Sequence, residues 1–303
     1  MMTSKPHNLT LVHTPSVWVT SIPLGVAYLK AYLRRELPDV SVRILDLNHH
    51  FFQNARRRLA GLCTACPRRA DPTCLPPELF FAGDAVAQAE AVFHDPAAFR
   101  DRTRYAEAFA FYNDYYSWAM RCLDTVLKPF VARPDDRLDP AVRALLRPDL
   151  DAIAARSPDI VGFSAMTMQI AYWLALAKLV KEELGVPIVF GGHFVSVYDP
   201  TEVMRANPFI DYIVYKEGEQ GLAGLLQNLG SAELDGVPNL VHRKGDAMAA
   251  TPARRRSCRS CSRAAVTGRA ARSARRAPRP RSTGRARPTT WSTRWNSASG
   301  MTA

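Results

Sequence analysis

Residues 159–193 read DIVGFSAMTMQIAYWLALAKLVKEELGVPIVFGGH, and this stretch decides the fold. Ile160 to Phe163 is a short, uninterrupted apolar run ending at Ser164. Such a run, stopped by a polar residue, reads as a buried strand. Ala165 to Gln169 forms a loop. Ile170 to Leu184 then carries apolar residues all along a length that only a helix fills, and Gly185 follows it as a C-terminal stop. Val186 to Phe190 is a second buried run, halted at Gly191-Gly192-His193. Strand, helix and strand within about forty residues make a βαβ unit with parallel strands.

The same rhythm appears at the front of the chain. Leu9 to Val12 is a buried run that ends in His13-Thr14-Pro15-Ser16. Pro23-Leu24-Gly25 precedes VAYLKAYLRREL, in which Val26, Leu29, Leu33 and Leu37 recur at helical spacing. The cations of that helix collect at its C-terminal end, where they suit the helix dipole. Val40 to Leu47 alternates as a further strand. Downstream, Asp199-Pro200 opens a short helix and Asp211 to Val214 is a fifth strand. Lys216-Glu217-Gly218-Glu219 then leads to a helix over Leu222 to Leu229. Val237 to Val241 with Gly245-Asp246 signals a closing hairpin. Five strands, each followed by a polar or Gly-rich turn, predict a doubly wound parallel α/β sheet. Ligands of such sheets lie across the carboxyl ends of the strands. The loops at 13–16, 164–169, 191–193 and 216–219 share that edge.

Residues 49 to about 150 interrupt the pattern with Ala, Arg, Phe and Tyr and with Pro-rich joints at Pro76-Pro77, Pro96 and Pro134. They read as a helical insertion. Its longest helix falls within Tyr105 to Phe130, with Phe109, Tyr112, Tyr116, Met120 and Leu123 spaced as one core-facing stripe. Domain boundaries follow: an α/β domain over 1–250 and a tail over 251–303.

The formal net charge of the 303 residues is +12. From Thr251 onward there are 14 Arg and no Lys, Asp or Glu, which leaves 26 basic against 28 acidic residues before it, a net of −2. The basicity therefore belongs to the tail, which contains no Leu, Ile, Phe or Tyr and cannot bury a core. Two readings remain open for it. One is a disordered basic arm that binds nucleic acid. The other, preferred because the change in composition is abrupt, is out-of-frame translation of GC-rich DNA.

The N-terminus lacks a basic region followed by an apolar run, so no secretory signal is expected. The uncharged stretch Ile160 to Ala177 holds Ser164, Thr167 and Gln169 and predicts no membrane span. Six cysteines in such a chain suggest reduced thiols and a cytoplasmic setting. Cys63 and Cys66 form one C-x-x-C and Cys258 and Cys261 another. They lie nearly two hundred residues apart in unlike contexts, so isolated thiols are expected rather than a zinc site. Neither G-x-G-x-x-G nor G-x-x-x-x-G-K-[ST] occurs, which counts against a nucleotide-cofactor enzyme, the second functional class considered.

The Pro-Leu-Gly helix start, DIVGFSAMT, PIVFGGH and YKEGEQGLAGLL occur in an order that resembles the cobalamin-binding domain of cobalamin-dependent radical S-adenosylmethionine enzymes. The resemblance spans about residues 8–245 and is closest to the methyltransferases of natural-product and peptide maturation. It implies cobalamin as cofactor, held by His13, Thr14, Pro15, Ser16, Pro23, Gly25, Ser164, Met166, Thr167, Gln169, Gly191, Gly192, His193, Glu217, Gly218 and Glu219.

The residue types suit that role, although each has a plainer reading. Ser164 and Thr167 can donate to an amide or ring nitrogen, or satisfy a local backbone group. Gly191-Gly192 permits close approach of a flat ligand, or is only a turn. Glu217 and Glu219 can accept from hydroxyls and amides, or complement a helix dipole. The chain has no Asp-x-His-x-x-Gly, so the resemblance implies a cobalt without a protein His beneath it. His49 and His50 read as surface or insertion residues.

In the resembled enzymes a barrel with Cys-x-x-x-Cys-x-x-Cys binds a 4Fe–4S cluster and S-adenosylmethionine, and cobalamin relays a methyl group to an unactivated carbon. That spacing is missing here. The expectation is a cobalamin-binding module apart from its catalytic barrel, inactive alone and partnered at most by a separate catalytic domain. No catalytic or protein-held metal residue is assigned, and nucleic acid is not an expected partner of the folded part.

Overall fold

The computed structural model describes residues 8–15, 23–48, 50, 51, 54, 58, 85–132, 137–166, 170–231, 233–245 and 247–253. The chain divides into two units, residues 1–252 and 253–303. Every element named below belongs to the first.

The strands are β1 (Asn8–His13), β2 (Ser41–Asp46), β3 (Ile160–Ser164), β4 (Ile188–Gly191), β5 (Tyr212–Val214), β6 (Leu240–Lys244) and β7 (Ala247–Ala250). They form one sheet in the order β2-β1-β3-β4-β5-β6-β7. The first five are parallel, and β6 and β7 close the edge as an antiparallel hairpin. This is the doubly wound α/β sheet the sequence predicts. Its order reverses between β1 and β3, the place where such sheets open a crevice at their carboxyl edge.

One face of the sheet is covered by α1 (Leu24–Glu36) and the other by the insertion and the helix after β3. The insertion supplies α2 (Ala85–His94), α3 (Pro96–Arg100), α4 (Arg102–Ala132) and α5 (Pro140–Ala154); then come α6 (Ile170–Leu184), α7 (His193–Val197), α8 (Pro200–Ala206) and α9 (Gly218–Gln227). Helix α1 packs on α9. Val26 and Leu33 of α1 join Leu9, Leu11, Val189 and Val214 of the sheet and Leu222, Leu225 and Leu226 of α9 in one apolar cluster.

On the other face, α4 and α5 both pack on α6. Every residue of α6 from Ile170 to Val180 is buried. A helix apolar all round must be enclosed on all sides, and the insertion encloses it. Trp173 of α6 packs edge-on against Phe190 of β4 and Phe194 of α7, with ring centroids 4.8 and 5.2 Å apart.

Two sequence expectations are corrected here. In α4 the buried face is Tyr115, Ala119, Met120, Leu123 and Leu127, whereas Phe109 is exposed. Phe109 instead stacks on Tyr105, which meets Phe99 edge-on, so this end of the stripe forms an aromatic ladder at the surface. The Tyr116 side chain lies outside the described ones. The last helix begins at Gly218 rather than Leu222, which puts Glu217 at its N-cap and Glu219 in its first turn. Elsewhere the punctuation holds. Gly185 and Gly230 both take positive φ after helices, and Asp199 caps α8 by accepting from the Thr201 N–H at 2.8 Å. Among the described residues no helix is long and apolar enough to cross a membrane.

Candidate functional site

At the carboxyl ends of β1, β3, β4 and β5 lies a cavity of about 250 Å³ between the sheet and helices α1 and α9. Its walls are apolar: Leu11, Val189 and Val214 from the strands, Val26 and Leu29 from α1, Leu222 from α9. Its rim is polar, with Ser164, Lys216, Glu217 and Glu219 beside the backbone of Gly191 and Gly192. Strand alternation builds this arrangement. Leu11, Gly162 and Val189 stand side by side in register across β1, β3 and β4, all on the α1 face.

Gly162 is the central floor residue. A Cβ placed on it would lie 2.9 Å from Leu11 Cδ2 and 3.4 Å from Val189 Cγ1. Glycine inside a strand costs about 0.5–1 kcal/mol relative to alanine and often marks close approach of a ligand or another backbone.

The rim is set by two left-handed residues. Gly192 has φ +97°, and a Cβ there would lie 2.7 Å from the Ala165 carbonyl oxygen, so only glycine fits. This lets the Phe194 N–H donate to the Ala165 carbonyl at 3.1 Å, tying the β3 loop to the β4 loop. In the next loop the left-handed residue is Lys216, with φ +61°. The Lys216 N–H donates to Ser196 Oγ at 2.8 Å. A non-glycine residue held in this region is uncommon and points to a local constraint.

The cavity gathers seven of the residues proposed from sequence: Gly25, Ser164, Gly191, Gly192, Glu217, Gly218 and Glu219. Pro23 precedes α1 as its N-cap residue, Met166 is exposed, and His193 opens α7; none of the three lines the cavity. Ser16, Thr167, Gln169 and His49 lie outside the described residues, as do Cys63, Cys66, Cys258 and Cys261. Sequence reading missed Gly162 and the apolar wall, because an apolar residue facing a cavity looks like one facing core. It quoted Lys216 without assigning it; a basic residue beside two acids in an edge loop was the available signal.

His13, Thr14 and Pro15 continue β1 at the same edge and are buried. His13 Nε2, Thr14 Oγ1 and, further down the strand, Thr10 Oγ1 have no hydrogen-bond partner among the described residues. Burial lowers the pKa of His13, partly opposed by the charge of Asp46, its register partner on β2. The imidazole is therefore neutral at pH 7. Buried polar groups are nearly always hydrogen-bonded in folded proteins.

A second polar cluster lies on the opposite face. Asp149 of α5 is fully buried and accepts from Arg58 twice, each at 2.8 Å. His50 Nδ1 lies 3.2 Å from Asp149 Oδ1, and the Tyr172 hydroxyl of α6 donates to Asp149 Oδ2. Burial alone would raise the Asp149 pKa, but hydrogen bonds from His50 and Arg58, with the Arg58 charge, bring it below the usual value. Tyr172 is pushed well up by burial and by the Asp149 charge. This cluster pins the segment after β2 onto α5 and α6. His50 is thus an insertion residue tied to structure.

The family model of the B12 binding domain matches residues 138–226, a span that runs from the start of α5 through β3, β4 and β5 into α9. No curated protein matches the chain. Two solved structures similar to it are of the cobalamin-dependent S-adenosylmethionine radical enzyme OxsB. One has aqua-cobalamin bound (TM-score 0.41) and the other aqua-cobalamin and S-adenosylmethionine (TM-score 0.39), both at 15% identity over 83% of this chain. The chain spans 23% of that enzyme's length. The family match gives the α/β unit its cofactor class, a cobalamin.

Proposed function

We propose, taking the B12-binding match over residues 138–226 as premise, that the carboxyl edge of this sheet holds cobalamin with the cofactor's nucleotide tail in the cavity floored by Gly162. The observation that carries the reading is that cavity. Its position at the β1/β3 reversal, its apolar walls and its polar rim suit a group with an apolar base and a charged linker. Sites for whole drug-sized ligands are of about 300–1,000 Å³, so a cavity of about 250 Å³ takes a part of the cofactor. The corrin would remain outside, at a rim where Leu24, Tyr28 and Met166 are exposed apolar side chains.

The chain's own groups divide the work. Gly162 lets the Leu11 and Val189 side chains close over the floor, and the Gly191-Gly192 backbone lets the ligand approach closely. Ser164 offers a hydroxyl at the mouth. Lys216 is the cation of the rim and pairs with the phosphate of the tail. Glu217 and Glu219 accept from ribose hydroxyls or propionamides. His13, Thr14 and Pro15 at the end of β1 would meet the corrin side, with Pro23, Met166 and His193 around the remaining edge; Ser16, Thr167 and Gln169 are further candidate contacts from the sequence. The neutral His13 can donate or accept there. Cobalamin, when bound in such proteins, supplies a carrier for a methyl group.

The finer reading is a module of a radical S-adenosylmethionine methyltransferase-like protein. It rests on the ordered motifs. The sequence contains no Cys-x-x-x-Cys-x-x-Cys, so an iron–sulfur barrel would have to be supplied elsewhere and the α/β domain over 1–250 would act with it. The test is gel filtration of the full chain after incubation with aqua-cobalamin. Corrin absorbance should travel with the protein at about one per chain. Protein that is folded by circular dichroism and elutes free of corrin would refute the reading.

A further inference from the structure

We infer that Asn239 is the positioning residue for the loop around Lys216, and that through it the exit of the chain from the α/β unit is coupled to that loop. What the loop binds rests on the proposed cobalamin reading; how the loop is held does not. At the antiparallel end of the sheet β5 pairs with β6 as far as Val214 and Leu240, and β6 pairs with β7 from Val241 and Ala250 onward. Continuing both registers brings Tyr215, Asn239 and Pro252 into line. The Tyr215 N–H donates to the Asn239 carbonyl at 3.0 Å, and the Asn239 N–H donates to the Pro252 carbonyl at 3.3 Å. Pro252 is the last residue of the first unit.

Asn239 is buried, and its Nδ2 donates to the Glu217 carbonyl at 2.9 Å. It therefore grips the residues on both sides of Lys216, while the Lys216 N–H itself is taken by Ser196 Oγ at 2.8 Å. Consecutive residues anchored from two directions over-determine the backbone, and a left-handed non-glycine residue persists only under such constraint. Asn239 also has positive φ, +59°, a conformation that Asn adopts more readily than most side chains because it can bond locally. The exit is fastened to the same loop a second time. The Tyr215 hydroxyl donates to the Thr251 carbonyl, and the buried Thr251 Oγ1 bonds both the N–H and the carbonyl of Leu240. A displacement of the chain at Pro252 is thus passed through Asn239 to the backbone of Lys216, and a ligand that holds the loop tightens the exit in return.

Asn239→Gly in the full chain tests this, because glycine keeps the left-handed backbone without strain and removes the side-chain grip on Glu217. Without any corrinoid, the Lys216 amide should exchange with solvent about fivefold faster than in the wild type, the scale of one lost hydrogen bond. An unchanged rate would overturn the positioning role. Cobalamin should bind the variant several-fold more weakly, while cobinamide, which lacks the nucleotide tail, should bind as before. The loss should vanish in the Lys216→Gly background, where no cation remains to be placed. An equal loss for cobinamide, or in that background, would mean that Asn239 only stabilises the fold. In the wild type, saturation with cobalamin should slow exchange of the Asn239 amide, whose acceptor is the Pro252 carbonyl; an unchanged rate would overturn the coupling to the exit. Failure of the folded chain to bind either corrinoid would remove the cobalamin reading and that coupling together, and the exchange of Lys216 would still decide the positioning role.

Discussion

Leu11 of β1 and Gly162 of β3 stand opposite each other in register, and a Cβ on Gly162 would come within 2.9 Å of Leu11 Cδ2. The neighbouring atom is the end of a flexible side chain, so the fold can yield there. Gly162→Ala should therefore change stability by less than about 1 kcal/mol, with the gain in strand propensity offsetting the contact. Urea denaturation checks this. A loss of several kcal/mol would mean that Leu11 and Val189 cannot give way.

Gly192 is the opposite case. Its φ of +97° and the Ala165 carbonyl 2.7 Å from a would-be Cβ leave only backbone to move. Gly192→Ala should cost about 1–3 kcal/mol and weaken cobalamin binding through the displaced rim. Denaturation and dialysis on the same preparation test both halves. Unchanged stability would show that the two edge loops are not locked together there.

Lys216 separates strain from recognition. It occupies the left-handed region, where glycine is favoured by about 1 kcal/mol or more. Lys216→Gly should melt at the same temperature or higher, yet bind cobalamin several-fold more weakly and with a smaller salt dependence, with cobinamide affinity unaltered. If cobinamide affinity fell equally, the lysine would not be reading the phosphate.

Asp149 makes stability depend on acid. Its folded pKa lies below the unfolded value, so the stabilisation is complete above about pH 4 and is lost as pH falls through the folded value. Asp149→Asn should flatten that limb of the curve. It should also destabilise the protein at pH 7 by about 3–5 kcal/mol, because Arg58, whose side chain is only 5% exposed, would be left without its counter-charge. A steep acid limb surviving in the variant would place the titration elsewhere.

His13 acts at higher pH with the same sign. Burial puts its folded pKa below the unfolded value near 6.5. Its contribution is present above that value and declines as pH falls towards the folded one. His13→Gln should remove this decline, read from denaturation midpoints between pH 7 and 5. An unchanged slope would show that His13 is not held neutral by burial.

Much of this architecture was legible in sequence because strand and helix announce themselves by periodicity. DIVGFS, PIVFGG and VAYLKAYLRREL each fell where their elements lie, and the carboxyl-edge loops followed from the fold class. Three things were not legible. The wall of the cavity is made of residues such as Val26 and Val189 whose apolarity says nothing about what they face. The Arg58–Asp149 pair joins positions 91 residues apart, and only the finished fold brings them together. The α4 stripe was assigned to one face from Phe109 to Leu123, but over so long a helix the buried face is decided by the helices packed on it, α2 and α6, and Tyr115 is buried while Phe109 stays in the ladder at the surface. Nor was the left-handed backbone of Lys216 legible, since a lysine carries no sign of positive φ.

The most direct test of the central claim is calorimetric titration of cobalamin into the full chain and into Gly162→Val. The account predicts one site in the wild type and an affinity reduced at least about tenfold in the variant, with both proteins melting cooperatively. Equal affinity in the two chains, or no binding by a folded wild type, would contradict it.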